Sequence, residues 1–142
     1  MFYTFRPFPT KVVKFITEQV LAYIMILIIE SNLIIGLAIK HSLSELDYEI
    51  VLTRNLSEGG SLTNVTPKYI VASDEVFDIK EQNAQVQEFF VDTQIPVVVL
   101  ITNKTAYTQY SLNIIGLIHK PFNANEVYNC IKEYRNQKSI NL

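Results

Sequence analysis

The sequence predicts a doubly wound α/β domain, in which a five-stranded parallel sheet carries helices on both faces. Apolar runs of four to seven residues, rich in Val and Ile, recur along the chain, and a stretch of helical pattern follows most of them. Strands that alternate with helices in this way form a parallel sheet through right-handed crossovers. The expected strands lie at 25–29, 48–53, 69–73, 96–102 and 115–119.

Helices are expected between these strands and after the last one. Asn123 followed by Glu126 forms a capping-box pattern, which marks the start of the final helix. The region at 57–63 has the weakest helical pattern because it contains two glycines. The expected helices lie at 33–45, 57–63, 80–91, 104–111 and 124–137.

Length, charge and cysteine content limit the class of protein. A chain of 142 residues, 49% of them hydrophobic, has the size of one globular domain, which we place at 25–138 with a short tail at 139–142. A net charge of -2 provides no basic stripe for nucleic acid. The single cysteine, Cys130, excludes an internal disulfide framework and is interpreted as a packing residue. These features favour a reducing, cytoplasmic location.

The apolar stretch at 20–39 is long enough to span a membrane. A span would bury Glu30 near the bilayer midplane at a cost of roughly 2.5 to 3.5 kcal/mol on an insertion scale. Ser31 and Asn32 follow this acid, as expected for a polar turn. The stretch therefore predicts a buried strand at 25–29, a turn and a helix from Leu33, with no membrane contact.

Polar side chains follow four of the five predicted strands. In a doubly wound sheet, functional residues gather at the carboxyl ends of the strands. We therefore expect one polar rim, made of Glu30 and Ser31, then Ser73, Asp74 and Glu75, then Thr102 and Asn103, and finally Lys120 before Pro121.

Four segments together resemble the receiver domain of bacterial response regulators: MILIIESN, TPKYIVASD, IPVVVLIT and LIHKPF, the last before an amphipathic helix. The resemblance covers about 25–137 and implies the flavodoxin-like fold. It also implies Mg²⁺ held by two acids after the first strand, and an aspartate after the third strand that accepts a phosphoryl group. A Thr or Ser after the fourth strand and a Lys-Pro after the fifth, here Lys120–Pro121 with an expected cis bond, complete the family pattern.

The match to the family's acids is partial. Glu30 falls on the first acid, but the second position is the neutral Ser31. Counting from Pro67 places the phospho-acceptor position on Ser73, whereas counting from Glu30 places it on Asp74. A one-residue slip turns a side chain to the opposite face of a strand, and a bulge near Ala72 would bring the aspartate back. Glu30 has a simpler alternative role as an acid at the N-terminus of the first helix.

The match at the fourth and fifth strands also departs from the family. Counting from Pro96 places Ile101 where the hydroxyl belongs, with Thr102 one position late. Leu117 stands where receivers often carry an aromatic residue. The segment from Thr102 to Lys120 is about one helical turn shorter than in the family, whose dimer or output surface it helps to form.

These departures predict an atypical receiver, which acts as a phosphorylation-independent protein–protein interaction module and not as an enzyme, without a cofactor. Its expected partners are signalling proteins, such as a histidine kinase or an output protein, and a homodimer is left open. The alternative is a competent phospho-receiver that accepts the phosphoryl group on Asp74, with Thr102 and Lys120 in support and Mg²⁺ on Glu30 and Asp74. A flavodoxin-like enzyme or nucleotide binder is disfavoured because the four glycines form no phosphate-binding loop.

Residues 1–24 form an extension that the fold does not require. The extension begins with several aromatic residues and continues into a helical pattern at 10–23. Two hypotheses stay open. Either the extension contains an interaction helix, or translation starts at Met25 and the native protein lacks it.

Overall fold

The computed structural model describes residues 25–59 and 66–140, and a single parallel sheet lies at the centre of this region. Its strand order is β2-β1-β3-β4-β5, with every neighbouring pair parallel. This is the flavodoxin-like order, which confirms the predicted fold class. The strands are β1 Met25–Ile29, β2 Glu49–Thr53, β3 Tyr69–Ser73, β4 Val97–Ile101 and β5 Ile114–His119.

Four α-helices accompany the sheet within residues 25–59 and 66–140, and their bounds differ from the predicted ones. The first ends two residues early, and the region at 57–63 is described as helical only through Gly59. The last helix runs into the predicted tail, and residues 141 and 142, like the extension at 1–24, lie outside the described residues. The helices are α1 Leu33–Leu43, α2 Leu56–Gly59, α3 Asn83–Val86 and α4 Ala124–Ile140.

The apolar stretch after residue 24 forms a strand, a polar turn and a helix, as predicted. All five residues of β1 are buried, because a central parallel strand is covered on both faces. Asn32 begins α1 by accepting hydrogen bonds from the backbone N–H groups of Ile34 and Ile35. Within the described residues, no helix is both long and apolar enough to cross a membrane.

Two predicted helices on one face of the sheet are broken or missing. The helix expected at 80–91 is split into a 3-10 turn, the short α3 and a π-helical turn at Gln87–Val91. The prediction of a helix at 104–111 is wrong, because only a 3-10 turn forms there, at Ala106–Gln109. The Thr and Asn residues around this turn are weak helix formers. Leu117 of β5 is 48% exposed.

The core consists of two layers, one on each face of the sheet. Successive side chains of β1 point to opposite faces of the sheet, so alternate residues pack in the two layers. Ile26 and Ile28 pack beneath α1 and α4 with Val127 and Ile131 of α4. Leu27 and Ile29 pack on the other face among the segments that follow β2, β3 and β4.

The capping box predicted for the last helix is confirmed. The Asn123 side chain accepts a hydrogen bond of 2.9 Å from the backbone N–H of Asn125. The Glu126 carboxylate accepts a hydrogen bond of 2.9 Å from the backbone N–H of Asn123. The predicted cis peptide bond between Lys120 and Pro121 precedes this helix. Together these features fix where the chain leaves β5 and enters α4.

Cys130 of α4 lies directly against Gly116 of β5. A methyl group on Gly116 would lie 2.3 Å from the Cys130 Sγ atom, closer than two such atoms approach. Burial, with a smaller effect of Glu133, raises the pKa of the Cys130 thiol. These observations support the predicted packing role, since a raised pKa reduces thiolate reactivity.

We expect Gly116→Ala to lower the free energy of unfolding by about 1–3 kcal/mol, because overpacking displaces α4 from the sheet. Chemical denaturation measures the loss. The double variant Gly116→Ala, Cys130→Ala removes the clashing sulfur and should recover most of it. Equal losses in the single and double variants would contradict the packing explanation.

Candidate functional site

A buried ion pair joins the carboxyl ends of β1 and β5. Glu30 follows β1 and is 2% exposed, and its Oε1 atom lies 2.7 Å from Nζ of Lys120, which follows β5. The other carboxylate oxygen accepts a 3.0 Å hydrogen bond from the backbone N–H of Asn32. Asn32, and not Glu30, therefore caps α1, while Glu30 neutralises the lysine. An Asn directly before an apolar helix was a sequence signal for this cap.

Ser73 completes this first cluster. Its hydroxyl lies 3.5 Å from Nζ of Lys120, and the residue is 1% exposed. The pairing of β3 with β4 is regular from Ile70 to Ser73, so the bulge considered near Ala72 is not observed in this pairing. A register shift lies instead between Val97 and Val98 in the pairing of β4 with β5. The serine therefore faces the lysine.

Asp74 belongs to a second cluster, in which its carboxylate contacts the residues that follow β4. Its carboxylate is fully buried and accepts hydrogen bonds from the backbone N–H groups of Thr102, at 2.7 Å, and Lys104, at 3.1 Å. The Thr102 hydroxyl also donates a hydrogen bond of 2.9 Å to the Asp74 carboxylate. Ile101, which the count from Pro96 placed at the hydroxyl position of the family pattern, is 6% exposed and packs in the core. Asp74 is the first residue of a 3-10 turn at Asp74–Asp78 and thus holds the 102–104 loop against the start of this turn.

The predicted rim residues therefore form separate clusters. Glu30, Ser73 and Lys120 lie together, and Asp74 lies with Thr102. Ser31 donates a hydrogen bond to the Glu75 carboxylate at the side of the rim. Sequence reasoning missed the part played by Lys104, since a backbone N–H carries no residue-specific signal.

A cleft of about 570 Å³ lies beside the rim, between the residues that follow β2 and those that follow β3. Two cationic side chains line it, and each is paired with an acid. Arg54 contacts Glu58 at 2.8 Å, and Lys104 contacts Asp78 at 3.2 Å. The Glu58 carboxylate raises the pKa of Arg54 by hydrogen bonding. The positive charge of the cleft is thus compensated.

The residues present do not fit the Mg²⁺ that the resemblance implies. Mg²⁺ needs several hard oxygen ligands in near-octahedral geometry. The Glu30 carboxylate is engaged by Lys120 and Asn32, and the Asp74 carboxylate by the 102–104 loop. Across 25–59 and 66–140, no three His, Cys, Asp or Glu side chains converge in a way that could hold a metal.

Sequence comparison and structure comparison give different results for this chain. No protein-family model matches the sequence, and no curated protein matches it. Solved structures do match. A response regulator receiver domain protein from Clostridium thermocellum is similar over 84% of this chain and 99% of its own, with 14% identity and a TM-score of 0.59.

Two further structures agree with this likeness. A response regulator from Desulfuromonas acetoxidans is 21% identical over 81% of this chain and 98% of its own, with a TM-score of 0.57. The receiver domain of a sensor histidine kinase from Pseudomonas aeruginosa, solved with magnesium in its active-site cleft, is 16% identical over 78% of this chain and 95% of its own, with a TM-score of 0.59. At these identities the likeness demonstrates the fold, so the chain has the receiver fold.

Proposed function

Starting from the receiver fold, we propose that this chain is an atypical receiver that works as a protein–protein interaction module without an aspartyl-phosphate cycle. The observation that carries the proposal is the buried pair of Glu30 and Lys120, with Ser73 beside it. In this proposal the chain is a binding module and not an enzyme, and it needs no cofactor.

The ion pair argues against phosphoryl transfer because it occupies the lysine. Phosphoryl transfer needs positive charge placed where charge develops on the phosphoryl oxygens. The Lys120 ammonium already lies 2.7 Å from a carboxylate that is almost fully buried. Moving it to a phosphate would leave that carboxylate buried without its partner, which is strongly unfavourable.

The two candidate acceptors argue in the same direction. Ser73 carries a neutral hydroxyl, which is a weak nucleophile without a neighbouring base. Its neighbour Lys120 is an ammonium group, which donates hydrogen bonds and accepts none. Asp74 is a carboxylate, but its oxygens accept three short hydrogen bonds from the 102–104 loop. These contacts support a structural role for Asp74.

Partner and location follow from the same proposal. A receiver fold without its own phosphoryl chemistry exerts its effect by contact with another protein, for which a histidine kinase or an output protein in the cytoplasm is the expected class. Similar solved structures include a response regulator and the receiver domain of a sensor histidine kinase.

We expect no labile phosphoryl adduct when the full chain is incubated with Mg²⁺ and acetyl phosphate, because the lysine is paired and the metal ligands are incomplete. Intact-mass spectrometry measures the adduct, and circular dichroism of the same sample reports that the protein is folded. A phospho-receiver of known competence, treated in parallel, controls for the reagent.

Variants identify the site if an adduct forms. A base-labile adduct that hydroxylamine cleaves, absent from Asp74→Asn and retained in Ser73→Ala, would establish the alternative, a competent phospho-receiver acting through Asp74. Loss of the adduct in Ser73→Ala alone would place the chemistry on the serine. Either result would overturn the proposal.

A further inference from the structure

The cleft beside the rim lies where doubly wound sheets bind small molecules. The strand order reverses between β1 and β3, and ligands bind outside the carboxyl ends of the strands at such a point. Ser31 follows β1, Glu75 follows β3, and both line the cleft. Its volume of about 570 Å³ is that of a small-molecule site, for which roughly 300–1,000 Å³ is usual.

One charged side chain of the cleft has no counter-charge. Arg54 and Lys104 are each neutralised by a neighbouring acid, as described above. Glu75 forms no ion pair within the part of the chain that the structure describes. Its carboxylate accepts a hydrogen bond from the neutral Ser31 hydroxyl. The two cations and three acids at the cleft therefore leave one net negative charge, which lies on Glu75.

An apolar surface lies beside this charge. Leu56 and Val76, which are both nearly buried, line the cleft together with Ile79, which is 39% exposed. Glu75 is three residues before Asp78 on a 3-10 turn, where such side chains lie on the same side. The cleft thus combines an acidic wall with an apolar one.

We propose that the cleft binds a primary ammonium group carried on an aliphatic chain, with the Glu75 carboxylate as its ion-pair partner. A free amine and the lysine side chain of another protein share this chemistry. The lining of the cleft does not include Glu30, Ser73 or Lys120, so the proposal does not depend on the proposed function.

Other classes of ligand fit the cleft less well. An anion would have to separate Arg54 or Lys104 from its acid, and it would lie near the unpaired Glu75 carboxylate. A neutral ligand would leave the charge of that carboxylate uncompensated. A metal ion needs several oxygen ligands, and no three metal-binding side chains converge in the described parts of the chain.

An NMR titration of the ¹⁵N-labelled full chain with hexylammonium chloride, at constant ionic strength, tests the proposal. We expect saturable shifts of the backbone signals of 54–56 and 75–79. Glu75→Gln should weaken binding at least about threefold, because glutamine keeps the shape and can accept the Ser31 hydrogen bond but carries no charge. Glu45→Gln removes the same charge from an exposed acid between α1 and β2 and should leave the affinity unchanged.

Further ligands test the two walls separately. Hexanoate and hexanol have the same chain without the positive charge and should bind at least about threefold more weakly. Propylammonium has the charge on a shorter chain and should also bind more weakly. Ile79→Ala should reduce the difference between the two amines, because it removes part of the apolar wall.

A lysine derivative distinguishes the two sources of the ammonium group. Nα-acetyl-lysine methylamide presents the side chain as it occurs in a protein. Binding tighter than that of hexylammonium would support the lysine of a protein partner, and weaker binding would support a free amine. Either result agrees with the proposed chemistry.

Several results would overturn the proposal. These are the absence of saturable shifts in the cleft up to about 50 mM hexylammonium, equal affinity for hexylammonium and hexanoate, and equal affinity of Glu75→Gln and the unmodified chain. Equal losses in Glu45→Gln and Glu75→Gln would have the same consequence, because they would indicate an effect of net charge. The signals of β1 and β3 report whether each variant is folded.

Discussion

Replacing Lys120 by Met is expected to lower the free energy of unfolding by about 3–5 kcal/mol. The substitution leaves the Glu30 carboxylate, whose side chain is 1% exposed, without its only cationic partner among the described contacts. An uncompensated buried charge costs far more than the lost attraction of an exposed pair. Urea denaturation at neutral pH, with the midpoint and slope compared between variants, measures the loss.

Two further variants distinguish a buried ion pair from a general effect of removing a lysine. Lys104→Met removes the cation of a half-exposed pair with Asp78 and should cost less than about 1 kcal/mol. Adding Glu30→Gln to Lys120→Met removes the stranded charge and should recover part of the loss. Similar losses for Lys104→Met and Lys120→Met would contradict the assigned role of the pair.

Asp74→Ala should be the second most damaging of these substitutions, with an expected loss of about 2–4 kcal/mol. The carboxylate is fully buried and accepts from the backbone N–H groups of Thr102 and Lys104. Alanine would leave both donors without this acceptor and would open a space beneath the loop. Thermal or chemical unfolding measures the loss, and hydrogen exchange of the 102–104 loop should rise at the same time.

Asp74→Asn is the matched control for this prediction. One amide oxygen can accept from both N–H groups, and the amide nitrogen can donate to the Thr102 hydroxyl. We therefore expect Asn to retain more stability than Ala. Asp78→Ala, at a half-exposed acid four residues further on, should have a small effect. An Asp74→Ala loss no larger than that of Asp78→Ala would mean that Asp74 does not hold the loop.

The sequence predicted the sheet well because parallel strands are buried on both faces and so appear as short runs of Val and Ile. β1 and β3 have the predicted bounds, β2 and β5 differ by one residue at one end, and β4 is one residue shorter at each end. The final helix was marked by a local capping box, which depends on residues three apart. Signals of this kind involve only near neighbours in sequence, so they do not require the tertiary structure.

The segments that connect β3 to β4 and β4 to β5 were predicted less well than the strands. Helical pattern at 80–91 and 104–111 gave way to 3-10 and π-helical turns. The Phe77 ring packs against both Phe90 and Tyr110, which join these segments across the same core layer. Such contacts between distant residues override weak local propensity.

The sequence by itself determined the fold class, the edge of the sheet that carries the polar residues, and the candidates Glu30, Ser73, Asp74 and Lys120. It left two positions open for the phospho-acceptor of the family pattern, Ser73 and Asp74. The tertiary structure decided which partner each of the two residues has, since a regular β3 directs Ser73 to Lys120 and Asp74 to the 102–104 loop. The physical reason is that a strand turns successive side chains to opposite sides, so a partner is determined by the register between strands, which composition and spacing along one chain do not specify.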